Sequence, residues 1–161
     1  MDTEQALREF FPQAEELYRE LSSQEEHREN LAEGDIVTRV DREMTDLVID
    51  HFSQYSNSVA FQSEELNKTG RDEQVEDPEY TVIFDEIDGT GNLRDGVGPF
   101  GTIVGIAKGS DPAFNDVIAS GYLDLKNGTR YEAYRDRGAF RTSGEETMEI
   151  ETSQRKELEG D

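Results

Sequence analysis

The sequence contains no cysteine and no tryptophan, and only two of its 161 residues are histidine. Without thiols the chain can form neither a disulfide framework nor a thiolate metal site. A zinc site would therefore need His27 and His51 together with carboxylates. Because these two histidines do not have the close spacing of metal ligands, we expect both to be ordinary surface residues.

The chain also lacks a long hydrophobic run. No stretch approaches the ~20 apolar residues of a membrane-spanning helix, and no apolar segment of signal-peptide length stands at the N-terminus. The sequence therefore predicts a cytoplasmic protein without a membrane partner.

Positive charge is scarce. Only 16 residues are basic, against 38 acidic residues, and the formal net charge is −22. Such a surface repels nucleic acid and anionic membranes, so both are disfavoured as partners. An acid-rich surface with few lysines is typical of a salt-loaded cytoplasm, where counterions screen the self-repulsion. We therefore expect a halophilic source and lower stability in dilute buffer.

The apolar residues are few but grouped. They make up 33% of the chain, and the mean hydropathy of −0.83 borders on that of disordered segments. Their arrangement in periodic segments nevertheless indicates a folded chain. The length allows one domain with a hydrophobic core, so we assign residues 1–161 to a single domain.

Two amphipathic helices are predicted near the N-terminus. The first spans residues 3–22, and Pro12 either kinks it or begins its main part. Thr38 and Asp41 match a capping box at the start of the second helix, and for Asp41 taken alone we favour this structural role over a catalytic one. The apolar face of the second helix contains Met44, Leu47, Val48 and Phe52.

Short β-branched and aromatic runs predict the strands. They lie at Val59–Gln62, Tyr80–Phe84, Gly101–Ala107, Val117–Leu125, Tyr131–Arg141 and Met148–Thr152, the last as an edge strand. Asn127-Gly128 is a strong hairpin signal, and a charged helix is predicted to begin at Ser153. The predicted fold class is α+β, a layered α-β arrangement in which two N-terminal helices pack on a mostly antiparallel sheet.

A cluster of polar residues follows the central predicted strand, which we expect to end at Phe84. Asp85 and Asp88 stand at its carboxyl end, and Gly89 marks a turn with positive φ or close approach to a ligand. Carboxylates beside free amides suit a cation bridged to a phosphate. The same residue types also form ordinary turns, so this stretch alone leaves both interpretations open. Its spacing fits neither an EF-hand loop nor the Asp-x-Asp-Gly-Thr site of haloacid dehalogenases.

Four motifs together resemble the N-terminal half of the inositol monophosphatase superfamily, which includes archaeal-type fructose-1,6-bisphosphatases. Each motif alone is weak, and adjacent Glu64 and Glu65 in isolation are typical of a solvated loop edge. The motifs are Asp35-Ile-Val-Thr-x-x-Asp41, Ser63-Glu64-Glu65, Phe84-Asp85-x-Ile87-Asp88-Gly89-Thr90-x-Asn92 and Gly138-Ala-Phe140. The resemblance implies Mg²⁺-dependent hydrolysis of a phosphate monoester of a sugar or inositol, in which a metal-activated water attacks phosphorus.

The resemblance also implies roles for single residues. Glu64, Asp85 and the main-chain carbonyl of Ile87 would hold one Mg²⁺, and Asp85 with Asp88 a second. Asp41 and Thr90 would orient and help deprotonate the attacking water. The residues implied to bind phosphate through their amides are Gly89, Thr90 and Gly91.

The sequence departs from the family pattern at three points. Glu86 replaces the usual Pro, which removes a rigid φ and adds a negative charge expected to weaken or retune metal binding. A Lys often found before Asp35 has no counterpart. The family's second half, which supplies a further Asp ligand and most groups that recognise the alcohol, is missing.

These departures leave alternatives open. The expected partners are a small-molecule phosphate ester and either a complementing C-terminal half or a second copy that forms a homodimer at an exposed sheet edge. The alternative to an enzyme is a non-catalytic truncated homologue that serves as a metal-binding or interaction module. A third interpretation is an acidic protein that binds only bulk cations.

Overall fold

The computed structural model describes residues 1–25, 33–69 and 75–152. In this part of the chain, two long helices lie on one face of a seven-stranded sheet whose strands follow sequence order. The elements are α1 Thr3–Glu25, α2 Glu33–Ser53, β1 Val59–Gln62, α3 Glu64–Thr69, β2 Tyr80–Asp88, α4 Thr90–Asp95, β3 Gly101–Lys108, a 3₁₀ turn Phe114–Asp116, β4 Val117–Asp124, β5 Thr129–Tyr134, β6 Gly138–Ser143 and β7 Glu146–Ile150.

The sheet is mixed but mostly antiparallel. Strands β1 and β2 are parallel, and every later pair is antiparallel. This arrangement confirms the predicted fold class. The hairpin at Asn127-Gly128 is also confirmed, since it joins β4 to β5 and Gly128 has a φ of 71°.

Several predicted boundaries are wrong. The predicted strand Tyr131–Arg141 is two strands, β5 and β6, because the chain turns between them through positive-φ Asp136 and Gly138. The central strand does not end at Phe84 but continues to Asp88. The predicted edge strand is observed as β7, two residues earlier than expected, and the helix predicted from Ser153 lies outside the described residues.

The capping box at Thr38 and Asp41 is also wrong. Helix α2 begins at Glu33, so Thr38 lies in its interior rather than at its first turn. No proline or glycine after Gly34 interrupts the helix, which extends further toward the N-terminus than the capping pattern suggested. Pro12 likewise lies inside the continuous helix α1 and does not begin it.

The core lies between the helices and what we call the covered face of the sheet. Five residues of α1 at helical spacing are fully buried, and alternate residues of β2 and β3 belong to the same buried core. Each Val, Leu, Ile or Phe side chain among them contributes about 1.5–3 kcal/mol by leaving water. The set includes Leu7, Phe10, Phe11, Ala14, Val82, Phe84, Val104 and Ile106.

His51 is buried, so the prediction of a surface residue is wrong for it. Its ring is 3% exposed and packs against Phe10 and Phe52. Nδ1 lies 3.1 Å from the Gln13 amide nitrogen, which donates, and Nε2 therefore donates to the Ala6 carbonyl at 2.8 Å. The ring thus joins α2 to α1 in its neutral form. His27 lies outside the described residues.

The opposite face of the sheet, here called the uncovered face, exposes several large apolar side chains. Strand pairing places side chains of β2, β3, β5 and β7 on this face, with Tyr122 of β4 and Arg141 of β6 between them. Their exposed fractions are 37–44%, for Ile83, Ile103, Tyr131 and Met148. Within the described ranges, no helix is long and apolar enough to cross a membrane.

Candidate functional site

A bulge near the end of β2 brings two carboxylates to the same face of the sheet. Asp85 pairs with Ile103 and Asp88 with Gly101, so three steps along β2 match two steps along β3. In a regular strand, residues three apart point to opposite faces. The extra residue cancels this alternation, and Asp85 and Asp88 both lie on the uncovered face. The bulge has no signal in the sequence.

The chain then turns at Gly89, as predicted. Gly89 has a φ of 83°, and a Cβ at this position would lie 3.1 Å from the Pro99 carbonyl oxygen. Both the backbone conformation and the close approach therefore require glycine. The first hydrogen bond of α4 runs from the Leu93 amide to the Gly89 carbonyl, so the amides of Thr90 and Gly91 precede the intrahelical bonds.

The electrostatics of Asp85 show which acidic groups come together. Partial desolvation raises the pKa of its carboxyl, and the negative charges of Asp88, Glu64 and Glu65 raise it further. A hydrogen bond from the Ile87 amide acts in the opposite direction. Residues from the end of β2 and the first turn of α3 therefore share one acidic environment, although they are separated by some 20 positions in sequence.

The cluster is not a finished ion site. Among residues 1–25, 33–69 and 75–152, no three His, Asp or Glu side chains are grouped closely enough to hold a metal ion. The donors around Asp85 are nevertheless carboxylates and main-chain carbonyls, the hard oxygen ligands that Mg²⁺ prefers. Their chemistry fits magnesium, while their spacing leaves the ligand set open.

Thr90 and Ile87 are joined directly. The Thr90 hydroxyl donates to the Ile87 carbonyl at 2.9 Å. The carbonyl predicted to bind a metal thus already accepts a hydrogen bond from a hydroxyl in this structure. Its second lone pair is the one available to an ion.

Asp41 lies on α2, half-buried and one helical turn before Thr45. Helix α2 packs against β2, α3 and α4, the elements that contain the other predicted site residues. The pairing of Asp41 with Thr90 stays a prediction.

The orientation of the Glu86 side chain was not predicted from the sequence. Its side chain is 1% exposed and lies on the covered face, opposite Asp85, so its charge does not face the acidic cluster as we expected. Burial raises the pKa of this carboxyl, and hydrogen bonds from Ser63 and Thr45 act against that shift. Strand alternation alone could have predicted the orientation, because adjacent residues of a strand point to opposite faces.

Comparison with known proteins gives a consistent result. The family model described as "Inositol monophosphatase family" matches residues 3–160. A fructose-1,6-bisphosphatase class 1 from Sulfurihydrogenibium sp. (strain YO3AOP1) is 29% identical over 96 residues, which are 60% of this chain and 29% of that protein. None of these matches supports the predicted halophilic source, which stays a prediction from composition.

Solved structures share the fold over about half their length. Inositol monophosphatase II from Staphylococcus aureus MSSA476 superposes with a TM-score of 0.71 at 19% identity, covering 96% of this chain and 52% of that one. A calcium-bound family protein from Staphylococcus aureus has a TM-score of 0.63 at 20% identity, covering 86% and 49%. An inositol monophosphate-bound structure of SaIMPase-II gives 0.64 at 20%, covering 88% and 46%.

Proposed function

Because the chain belongs to the inositol monophosphatase family, we propose that it supplies the metal-binding and water-activating part of a Mg²⁺-dependent phosphomonoesterase acting on a sugar or inositol phosphate. The observation that carries this proposal is the shared acidic environment of Asp85, Asp88 and Glu64 beside the bulge of β2. Like charges at this spacing repel one another, and a divalent cation relieves the repulsion.

The oxygen donors divide into two sets. Glu64, Asp85 and the Ile87 carbonyl would hold one Mg²⁺, and Asp85 with Asp88 would hold the second. When bound, the ions supply positive charge that offsets the charge of the phosphate and favours deprotonation of water. The calcium-bound relative is consistent with a family that uses hard divalent cations.

The remaining residues act on water and phosphate. The Asp41 carboxylate would accept a proton from the attacking water. The Thr90 hydroxyl would orient that water once it no longer donates to the Ile87 carbonyl. The amides of Gly89, Thr90 and Gly91 would donate to phosphate oxygens at the turn between β2 and α4. A phosphate monoester is therefore the proposed substrate class, as in the inositol monophosphate-bound relative.

The proposed partner is a polypeptide equivalent to the other half of these relatives. The matched solved structures are about twice as long as the part that this chain covers. The uncovered face presents exposed Ile83 and Ile103 directly beside Asp85, so a polypeptide that covers these residues also encloses the acidic cluster. A cytoplasmic location is proposed with it.

The test combines Mg²⁺ binding with phosphate release. Calorimetry in molar KCl is expected to show Mg²⁺ binding that is lost in Asp85→Asn. Mg²⁺ binding is expected to be kept in Asp50→Asn, which makes the same charge change at an exposed position in the last turn of α2. Phosphate release from inositol 1-phosphate and fructose 1,6-bisphosphate should likewise be lost in Asp85→Asn and kept in Asp50→Asn. If wild type and Asp85→Asn bind Mg²⁺ equally and both release phosphate at background, the proposal is wrong.

One observation favours a second candidate, a metal-binding module without turnover: the chain spans about half the length of the solved structures that it matches. Such a module would bind Mg²⁺ through Asp85 and release no phosphate from either ester. The two measurements together therefore separate the candidates.

A further inference from the structure

A buried carboxyl lies at the point where three elements of the candidate site meet. Glu86 is almost fully enclosed, which is uncommon for a carboxyl group, and the described residues hold it through hydroxyl groups. Its Oε1 accepts hydrogen bonds from Thr45 Oγ1 at 2.8 Å and from Ser63 Oγ at 2.7 Å. The two hydroxyls belong to α2 and to the residue that precedes α3.

Each partner is close in sequence to a proposed site residue. Thr45 follows Asp41 by one helical turn, and its hydroxyl also lies 2.9 Å from the Asp41 carbonyl oxygen. Ser63 directly precedes Glu64, and its hydroxyl accepts the Leu66 amide at 3.0 Å, which caps α3. The Glu86 side chain thus connects the helix of Asp41 with the first turn that contains Glu64.

The main chain of Glu86 is held as well. Its carbonyl accepts the Thr102 hydroxyl of β3 at 2.8 Å. This bond lies inside the bulge, between Asp85 and Asp88. Since both flanking residues are proposed metal ligands, the same residue is tied to β3 at its backbone and to α2 and α3 at its side chain.

We propose that Glu86 is a positioning residue, whose buried side chain fixes α2 and α3 against the bulge of β2 so that Asp41, Glu64 and Asp85 keep one relative arrangement. This inference rests on the proposed function, because it assigns a purpose to that arrangement. Hydrogen bonds to a carboxylate are among the stronger ones in proteins, and supporting groups of this kind commonly change metal affinity 10–100-fold when removed.

The test uses Glu86→Met, which removes the acceptor at similar length, and Glu86→Gln, which keeps an acceptor oxygen. Mg²⁺ affinity measured by calorimetry is expected to fall about tenfold in Glu86→Met and to stay within about threefold in Glu86→Gln. Thr45→Val in the Glu86→Met background should cause no further loss, because both changes break the same bond.

A matched control separates positioning from general loss of stability. Glu132 is also a buried strand carboxylate, and it accepts the Tyr134 hydroxyl at 3.0 Å on β5. Glu132→Met is expected to lower thermal stability while Mg²⁺ affinity stays unchanged. If it weakens Mg²⁺ binding as much as Glu86→Met does, or if Glu86→Met binds like wild type, the positioning role is wrong.

A measurement without metal distinguishes failure of the positioning role from failure of the proposed function. Amide hydrogen exchange at Leu66 and in α2 should rise about tenfold in Glu86→Met relative to β4–β6, and should not rise locally in Glu132→Met. If wild type binds no Mg²⁺, the proposed function fails, and a local rise still supports the fixing of α2 and α3. Without that rise, the inference is overturned whatever the metal does.

Discussion

Asp85 and Glu86 are neighbours on β2, yet their carboxyl groups lie in opposite surroundings. Asp85 is on the uncovered face, exposed and surrounded by other acidic groups. Glu86 is on the covered face, enclosed and bonded to two hydroxyls. One step along a strand therefore separates a carboxyl suited to a cation from a carboxyl that holds elements together.

The same division applies to the apolar residues of the two faces. On the covered face, Phe84 and Val104 belong to the buried core that the sheet shares with α1 and α2, whereas on the uncovered face Ile83 and Ile103 remain more than a third exposed. An apolar surface of this kind marks a contact region in a folded protein. Within the described residues, this chain buries one face of the sheet and leaves the other open to the partner proposed above.

The largest expected effect compares adjacent residues of β2. Phe84→Ala should lower the free energy of unfolding by about 3–5 kcal/mol because it leaves a cavity under the helices. Ile83→Ala should cost only about 1 kcal/mol, since part of its side chain already contacts water. Urea denaturation in molar KCl measures both. Equal losses would contradict an open face and indicate that copies of the chain cover it in solution.

A second comparison uses glycines, one on each face. A Cβ at Gly121 would lie 2.5 Å from the Phe11 ring, so Gly121→Ala should cost about 1–3 kcal/mol through overpacking against α1. A Cβ at Gly105 meets nothing closer than the Ile83 carbonyl oxygen at 3.7 Å. Gly105→Ala should therefore be neutral or stabilising by about 0.5 kcal/mol. Thermal unfolding of both variants checks the order, and a costly Gly105→Ala would show that the uncovered face is already occupied.

The sequence predicts the layers of this fold better than its boundaries. Helical spacing of Leu7, Phe10 and Phe11 fixes the buried face of α1, and the hairpin at Asn127-Gly128 follows from local turn chemistry. The start of α2 at Glu33 and the continuation of β2 to Asp88 were not predicted, because local patterns fix the ends of an element less well than its presence.

The candidate site shows the same limit. Asp85, Asp88 and Gly89 are recognisable in sequence because charge and backbone freedom are properties of single residues. Their common face depends on a bulge, and the burial of Glu86 depends on hydroxyls 41 and 23 positions away. Long-range pairings of this kind leave no periodic signal.

His51 provides a pH-dependent contrast on the covered side. Burial lowers the pKa of its ring, against the smaller effects of the Ala6 hydrogen bond and the nearby Glu9 charge. The unfolded state therefore binds the proton more readily than the folded state. The contribution of the neutral ring to the free energy of unfolding is complete above the unfolded pKa of ~6.5. It is lost as the pH falls through the lower pKa of the folded state.

We accordingly expect stability to decline between pH 7 and pH 5 more steeply in wild type than in His51→Gln. The glutamine amide can still donate toward Ala6 but does not titrate. Urea midpoints across this range measure the slope. Parallel curves for the two proteins would show that the ring is not held neutral by burial.

The smallest change in stability is expected for a substitution on the uncovered face, and it is stabilising rather than destabilising. Desolvation and the charges of Asp88 and Glu64 raise the pKa of Asp85, which means that the folded chain disfavours its ionised form. Without Mg²⁺, Asp85→Asn should therefore stabilise the fold by a few tenths of a kcal/mol, about the size of other exposed charge interactions. Adding Mg²⁺ should make wild type more stable than Asp85→Asn, because only wild type gains stability by binding the ion.

Thermal unfolding in EDTA and in Mg²⁺, with Asp50→Asn as the charge-matched control, decides between a carboxylate kept for a cation and one that is merely solvated. A solvated Asp85 would show the same small change in both buffers.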